Sequence, residues 1–131
     1  MGSRLAVSEY YPESHPVWRL FRETPGAGVL AAAPEVYVSE ACSPADGAVL
    51  RLSVRVGDGL LQQVRFKAFG CPACIACGAW LASQLEGRGT DALVGVSAMT
   101  MAEALQLPPA RRHCAVLAEE VARELYARLA G

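Results

Sequence analysis

The stretch from Leu50 to Ala68 constrains the fold more than any other. Leu50, Leu52, Val54 and Val56 alternate with Arg51, Ser53 and Arg55, the period of two that a half-buried strand requires. Gly57-Asp58-Gly59 then supplies turn chemistry for a tight hairpin. The return strand puts Val64, Phe66 and Ala68 on one face and Arg65 and Lys67 on the other, and Val36 to Ala41 adds a third strand. Everything after Gly70 reads as helix. Pro72 suits a first helical position, which makes Cys71 the N-cap, and the helix runs to about Glu86 with Gly87 as its stop. Thr100 and Glu103 have capping-box spacing and open a short second helix that ends before Pro108-Pro109. A last helix runs from about Ala110 to Leu129, with Cys114, Leu117, Val121, Leu125 and Leu129 along its buried stripe. Strands first and helices after predict an α+β fold: a small three-stranded antiparallel sheet with helices packed on one face.

At 131 residues the chain reads as one domain, residues 1–131, whose first 35 residues are rich in Pro, Gly and Ala and read as poorly ordered or irregular. Within them His15-Pro16 can start a short helix around Val17 to Arg22. Hydrophobic residues make up 53% and charged residues 19%, enough to bury a core. A net charge of −1 gives no electrostatic reason to expect nucleic acid or an acidic membrane. No run approaches the roughly 18 apolar residues of a membrane span. Met1 to Tyr11 has one Arg and no apolar stretch of a secretory signal, so the expected compartment is the cytoplasm. Five cysteines, an odd number, then point to metal or thiol chemistry rather than a disulfide framework.

Those cysteines gather at element boundaries. Cys71-Pro72-Ala73-Cys74-Ile75-Ala76-Cys77 opens a helix, and His113-Cys114 opens another. As an N-cap, Cys71 faces unpaired N–H groups and the positive end of the helix dipole, which favours a thiolate that reacts or ligates. Cys74 lies one turn on and can be a ligand or a core residue. Cys77 is about 120° around the helix from Cys71 and reads as a small apolar residue facing the sheet. Cys114 belongs to an apolar stripe, yet its neighbour His113 supplies a second ligand type at the same helix start. His15 has no such company and reads as a solvated or capping residue. Cys42 follows the first strand, and Asp46 in the turn after it is either a turn aspartate bonding its own backbone or a hard oxygen ligand beside soft sulfurs.

Together these motifs resemble the IscU/NifU-type iron–sulfur cluster assembly scaffolds. Gly70-Cys71 after the strand Val64 to Phe69 looks like that family's second cysteine motif, and Ala41-Cys42 looks like its first. Leu107-Pro108-Pro109-Ala110-Arg111-Arg112-His113-Cys114 looks like its Leu-Pro-Pro-Val-Lys-x-His-Cys motif. The similarity runs from about Cys42 to the C-terminus, while earlier only Tyr11, Glu13 and Pro16 echo the family. The resemblance implies an IscU-like α+β scaffold that builds a transient [2Fe–2S] cluster on Cys42, Cys71 and Cys114. Asp46 and His113 would be further metal ligands, and zinc would be possible at the same site. It also implies sulfur delivered by a cysteine desulfurase, transfer to acceptor apo-proteins, and a chaperone pair that reads Leu107, Pro108, Pro109, Ala110 and Arg111. Persulfide chemistry is expected, but not turnover as an enzyme.

The chain departs from that pattern in three places. Cys42-Ser43-Pro44-Ala45-Asp46-Gly47 replaces a tight Cys-Gly-Asp and displaces Asp46. Cys74 and Cys77 stand where the family has small non-ligating residues, and Ala110 and Arg111 replace Val and Lys. Two alternatives compete with the scaffold reading. One is a zinc-binding protein of the same fold, with no cluster transfer, closed by Cys42, Cys71, His113 and Cys114. The other is a thiol–disulfide oxidoreductase using Cys71-Pro72-Ala73-Cys74, which an antiparallel sheet disfavours because redox folds place that motif in a βαβ unit.

Overall fold

The computed structural model describes residues 14–44 and 46–130; Tyr11 and Glu13 lie outside the described residues. Strands β1 (Val36–Cys42), β2 (Val49–Gly57) and β3 (Leu60–Phe69) form one antiparallel sheet in the order β1-β2-β3. Asp58 and Gly59 alone turn the β2–β3 hairpin, both at positive φ (55° and 73°), the geometry that matches strand twist in a two-residue connection. The register shifts beside Arg55 and Val56, so that Val54 faces Val64 while Val56 faces Leu61. This bulge lets Leu61 and Val64, three apart in sequence, both point into the core, where each is fully buried.

Among the described residues four helices follow the expected layering: α1 (Pro16–Glu23), α2 (Pro72–Leu85), α3 (Ala98–Ala104) and α4 (Arg112–Ala130). α2 packs on β3 and β2, and α4 packs on β1 and β2, which buries Leu50, Leu52 and Val54 on the inner sheet face. Ser39 on that face is satisfied by donating its hydroxyl to the Val121 carbonyl of α4 at 2.7 Å. α2 is apolar almost all round, as a helix enclosed on several sides must be. Gly78 lets it approach the sheet, because a Cβ there would collide with the Phe66 ring.

Three expectations need correction. Residues 14–35 are not irregular throughout: the helix expected around Val17 to Arg22 forms as α1 and buries Val17 and Leu20, and beyond it Gly26 and Gly28 bond the backbone of Phe66, extending the β3 edge. His15 caps α1, its Nδ1 accepting the Val17 N–H at 3.1 Å while Nε2 lies 3.0 Å from the Gln106 carbonyl. The second correction concerns α3, which starts three residues before the Thr100 box: Ser97 is the cap, accepting the Thr100 N–H at 3.2 Å, and Glu119 of α4 accepts the Ala98 N–H at 2.7 Å. The third is the start of the last helix. Pro109–Arg111 form a 3-10 turn and α4 proper begins at Arg112, since Pro109 holds Pro108 extended. Among the described residues no helix is long and apolar enough to cross a membrane.

Candidate metal centre

Antiparallel pairing carries three chain segments to one end of the sheet. Cys42 pairs with Val49 and Val49 with Phe69, so the end of β1, the start of β2 and the end of β3 share a row. Gly70 then turns the chain into α2 at φ 151°, a region open to glycine, and Cys71 is the N-cap. The first turn of α4 arrives beside it. The result is a connected set of side chains: Cys71 Sγ lies 3.8 Å from Cys114 Sγ, and Cys114 Sγ lies 3.7 Å from His113 Nε2. His113 Nε2 in turn lies 2.7 Å from Asp46 Oδ2.

The longer loop therefore does not remove Asp46 from the corner. Its Oδ1 accepts the Ala48 N–H at 3.1 Å, two residues on, as in a turn aspartate, while Oδ2 reaches His113. Asp46 thus fills the turn role that its sequence position left open, and its second oxygen bonds His113. The Ala48 N–H, then His113, and more weakly Ser43, keep its carboxyl below the usual carboxylate range. Cys42 stands on the rim: it is exposed and lines a cleft of about 250 Å³ with Ser43, Pro44, His113 and Val116. Cys74 and Cys77 are both fully buried, and burial raises the Cys77 thiol far above its ordinary value. Leu107 is in the core, so the face of the Leu-Pro-Pro segment open to a partner is Pro109 and Ala110, with Pro108 and Arg111 half-buried.

One electrostatic expectation fails. The Cys71 thiol is held above its ordinary value, first by contact with Cys114 and then by partial burial. The Cys74 and Ala73 N–H groups at the helix start pull the other way, but the sulfur closes no capping hydrogen bond and they lose. The same contact eases proton loss from Cys114. There the neighbouring Cys74, burial and the Asp46 charge outweigh it and push that thiol up to about 12. A metal that binds these sulfurs must displace their protons, which couples binding to pH.

The spacing suits that displacement. Two sulfurs bonded to one tetrahedral ion at about 2.3 Å stand about 3.8 Å apart, the separation found between Cys71 and Cys114. Among the described residues no three donors as placed enclose an ion, so closing the shell takes side-chain rotation. The sequence did not single out Ala48 or Ser43, which support Asp46; the Asp-x-Ala spacing of a turn was the available signal.

The model for the NifU-like N terminal domain matches residues 12–128, and the chain belongs to that family. It is 36% identical over 89 residues to "Iron sulfur cluster assembly protein 1, mitochondrial" of Candida glabrata, covering 66% of this chain and 42% of that one. It is 35% identical over 79 residues to "Iron-sulfur cluster assembly scaffold protein IscU" of Escherichia coli, covering 60% of this chain and 62% of that one. The chain thus spans less than two thirds of the length of these curated relatives. In fold it is similar to a putative iron–sulfur cluster assembly scaffold protein for the SUF system from Fervidobacterium islandicum. That likeness has a TM-score of 0.73 at 14% identity and covers 91% of this chain and 98% of that one. It is also similar in fold to the N-terminal part of a NifU-like protein from Brucella abortus, with a TM-score of 0.59 at 20% identity, covering 93% and 83% of the two chains.

Proposed function

We propose that this chain is a scaffold on which a [2Fe–2S] cluster is assembled and from which it is passed on. Sulfur comes from a cysteine desulfurase as persulfide. Two electrons from an external donor of the reduced-ferredoxin class reduce it to sulfide and free the carrier thiolate. Iron joins the sulfide, and the product goes to acceptor apo-proteins. Cys42, Cys71 and Cys114 bind the cargo, and His113 or Asp46 is the exchangeable fourth ligand. The observation that carries this reading is the run of donors Cys71, Cys114, His113 and Asp46, linked at 3.8, 3.7 and 2.7 Å at one end of the sheet.

Each residue has a role that its position supports. Cys42 is exposed and meets incoming material first. Cys71 and Cys114 already stand at ligand spacing. Asp46 holds the His113 nitrogen that faces the sulfurs, so one oxygen–nitrogen contact must open for cargo to bind and can close again as it leaves. A chaperone pair reading Pro108 to Arg111 would bear on the turn just before His113 and could bias that exchange. The compartment proposed is the cytoplasm. The sulfur spacing also favours a second reading, in which zinc rests on the same donors.

The test is anaerobic incubation with a cysteine desulfurase, cysteine and ferrous iron, followed by addition of an apo-ferredoxin. A scaffold acquires a visible cluster and loses it to the acceptor. Zinc uptake with no cluster formed and none delivered would leave only the second reading.

A further inference from the structure

We propose that Cys74 is a metal ligand of this corner, giving its thiolate alongside Cys71 and Cys114 to a thiophilic ion or a cluster iron. The inference rests on the reading that the corner holds metal, and it adds a donor that reading does not use.

Both oxygens of Asp46 are engaged, one by the Ala48 N–H and one by His113. A carboxylate tied on both sides makes a better support for the histidine than a ligand. Helix geometry offers a replacement. Cys71 is the N-cap of α2 and Cys74 stands at N3, three residues on, so the two side chains are neighbours on one side of the helix start. Cys74 is fully buried, so its sulfur has no water to face, and it lies against the Cys114 thiol.

Gly70 lets the backbone pass close against this side chain. A Cβ at Gly70 would stand 3.3 Å from the Cys74 Cβ and 3.5 Å from its Sγ. Cys74 thus stands one turn from Cys71 and beside Cys114, and the sulfurs of Cys71 and Cys114 are already separated as on a tetrahedral ion. Sulfur on three sides is a soft donor set that selects thiophilic ions over hard ones. Cargo held this way leaves more slowly than cargo closed by a carboxylate oxygen.

The experiment is a titration of the full reduced chain with cobalt(II) alone, under anaerobic conditions, reading the thiolate-to-cobalt charge-transfer band. Wild type is compared with Cys74→Ser, Cys74→Ala and Cys77→Ser, each checked for native melting by circular dichroism. Both Cys74 variants are expected to lose one sulfur's share of the band. Their cobalt affinity should fall more than about tenfold, the low end of what even a supporting residue costs a metal site. Cys77→Ser should match wild type. Band and affinity unchanged in folded Cys74→Ser or Cys74→Ala would overturn the proposal and return Cys74 to the core. A wild type with no thiolate band would overturn this proposal and the metal reading together. An intact Cys74-dependent band with failed cluster assembly supports this proposal and sinks the scaffold function alone.

Discussion

The sheet ends differently at its two poles. At one, Asp58 and Gly59 join β2 to β3 with the fewest residues that strand twist allows, and no donor cluster gathers there among the described residues. At the other, β1 and β2 are joined through residues 43–48, and β3 leaves through Gly70 into α2, bringing Cys42, Asp46, Cys71 and the start of α4 together. Both poles connect antiparallel neighbours, so connectivity does not demand the longer loop. The extra residues carry Asp46 across to His113. Economy marks the hairpin pole, and a longer loop marks the pole where the candidate donors gather.

Substitutions at each pole should separate these two kinds of consequence. Cys71→Ser is expected to abolish cluster retention, with the melting temperature nearly unchanged; a visible cluster in the reconstituted variant would break the comparison. Gly78→Ala, in the core between the poles, overpacks the Phe66 contact and should cost about 1–3 kcal/mol in urea denaturation. Gly59→Ala places a side chain at φ 73° and should cost about 1–2 kcal/mol. Cobalt binding should stay at the wild-type level, and any loss would mean the turn pole reaches the site. Acid should act at a third place. The Val64 N–H, and secondarily Arg65, lower the Glu86 carboxyl. A lowered carboxyl stabilises the fold above its unfolded pKa and loses that contribution as pH falls through the lower folded value. Wild type should therefore lose stability faster than Glu86→Gln between about pH 5 and 3, and parallel acid melts would contradict this. The smallest effect is expected from Cys77→Ser, a buried position off the donor run, whose cluster yield should stay near wild type. Losses equal to those of Cys71→Ser would move Cys77 out of the core.

Much of this was legible in the chain. Alternation from Leu50 to Val56 and the Gly57-Asp58-Gly59 turn fix the sheet because both depend on neighbouring residues alone. The N-cap position of Cys71 was equally local. What escaped depended on contacts across the fold. The start of α3 is set by Ser97 together with Glu119, twenty-two positions away. The core role of α1 comes from packing on α2, which no period in the first 35 residues signals. The Cys71 thiol rises because a sulfur from position 114 outweighs the local helix start, a balance set by tertiary structure. Asp46 reaches His113 through a loop whose length alone suggested it would not.

The central claim is that the cysteine pole assembles a cluster rather than merely binding an ion. Iron, zinc and acid-labile sulfide should be measured per chain after anaerobic reconstitution, in wild type and in Cys71→Ser. The account predicts iron and sulfide in equal amounts in wild type, about two of each per cluster, and almost none in the variant. Zinc without sulfide in wild type, or equal iron and sulfide in both proteins, would contradict it.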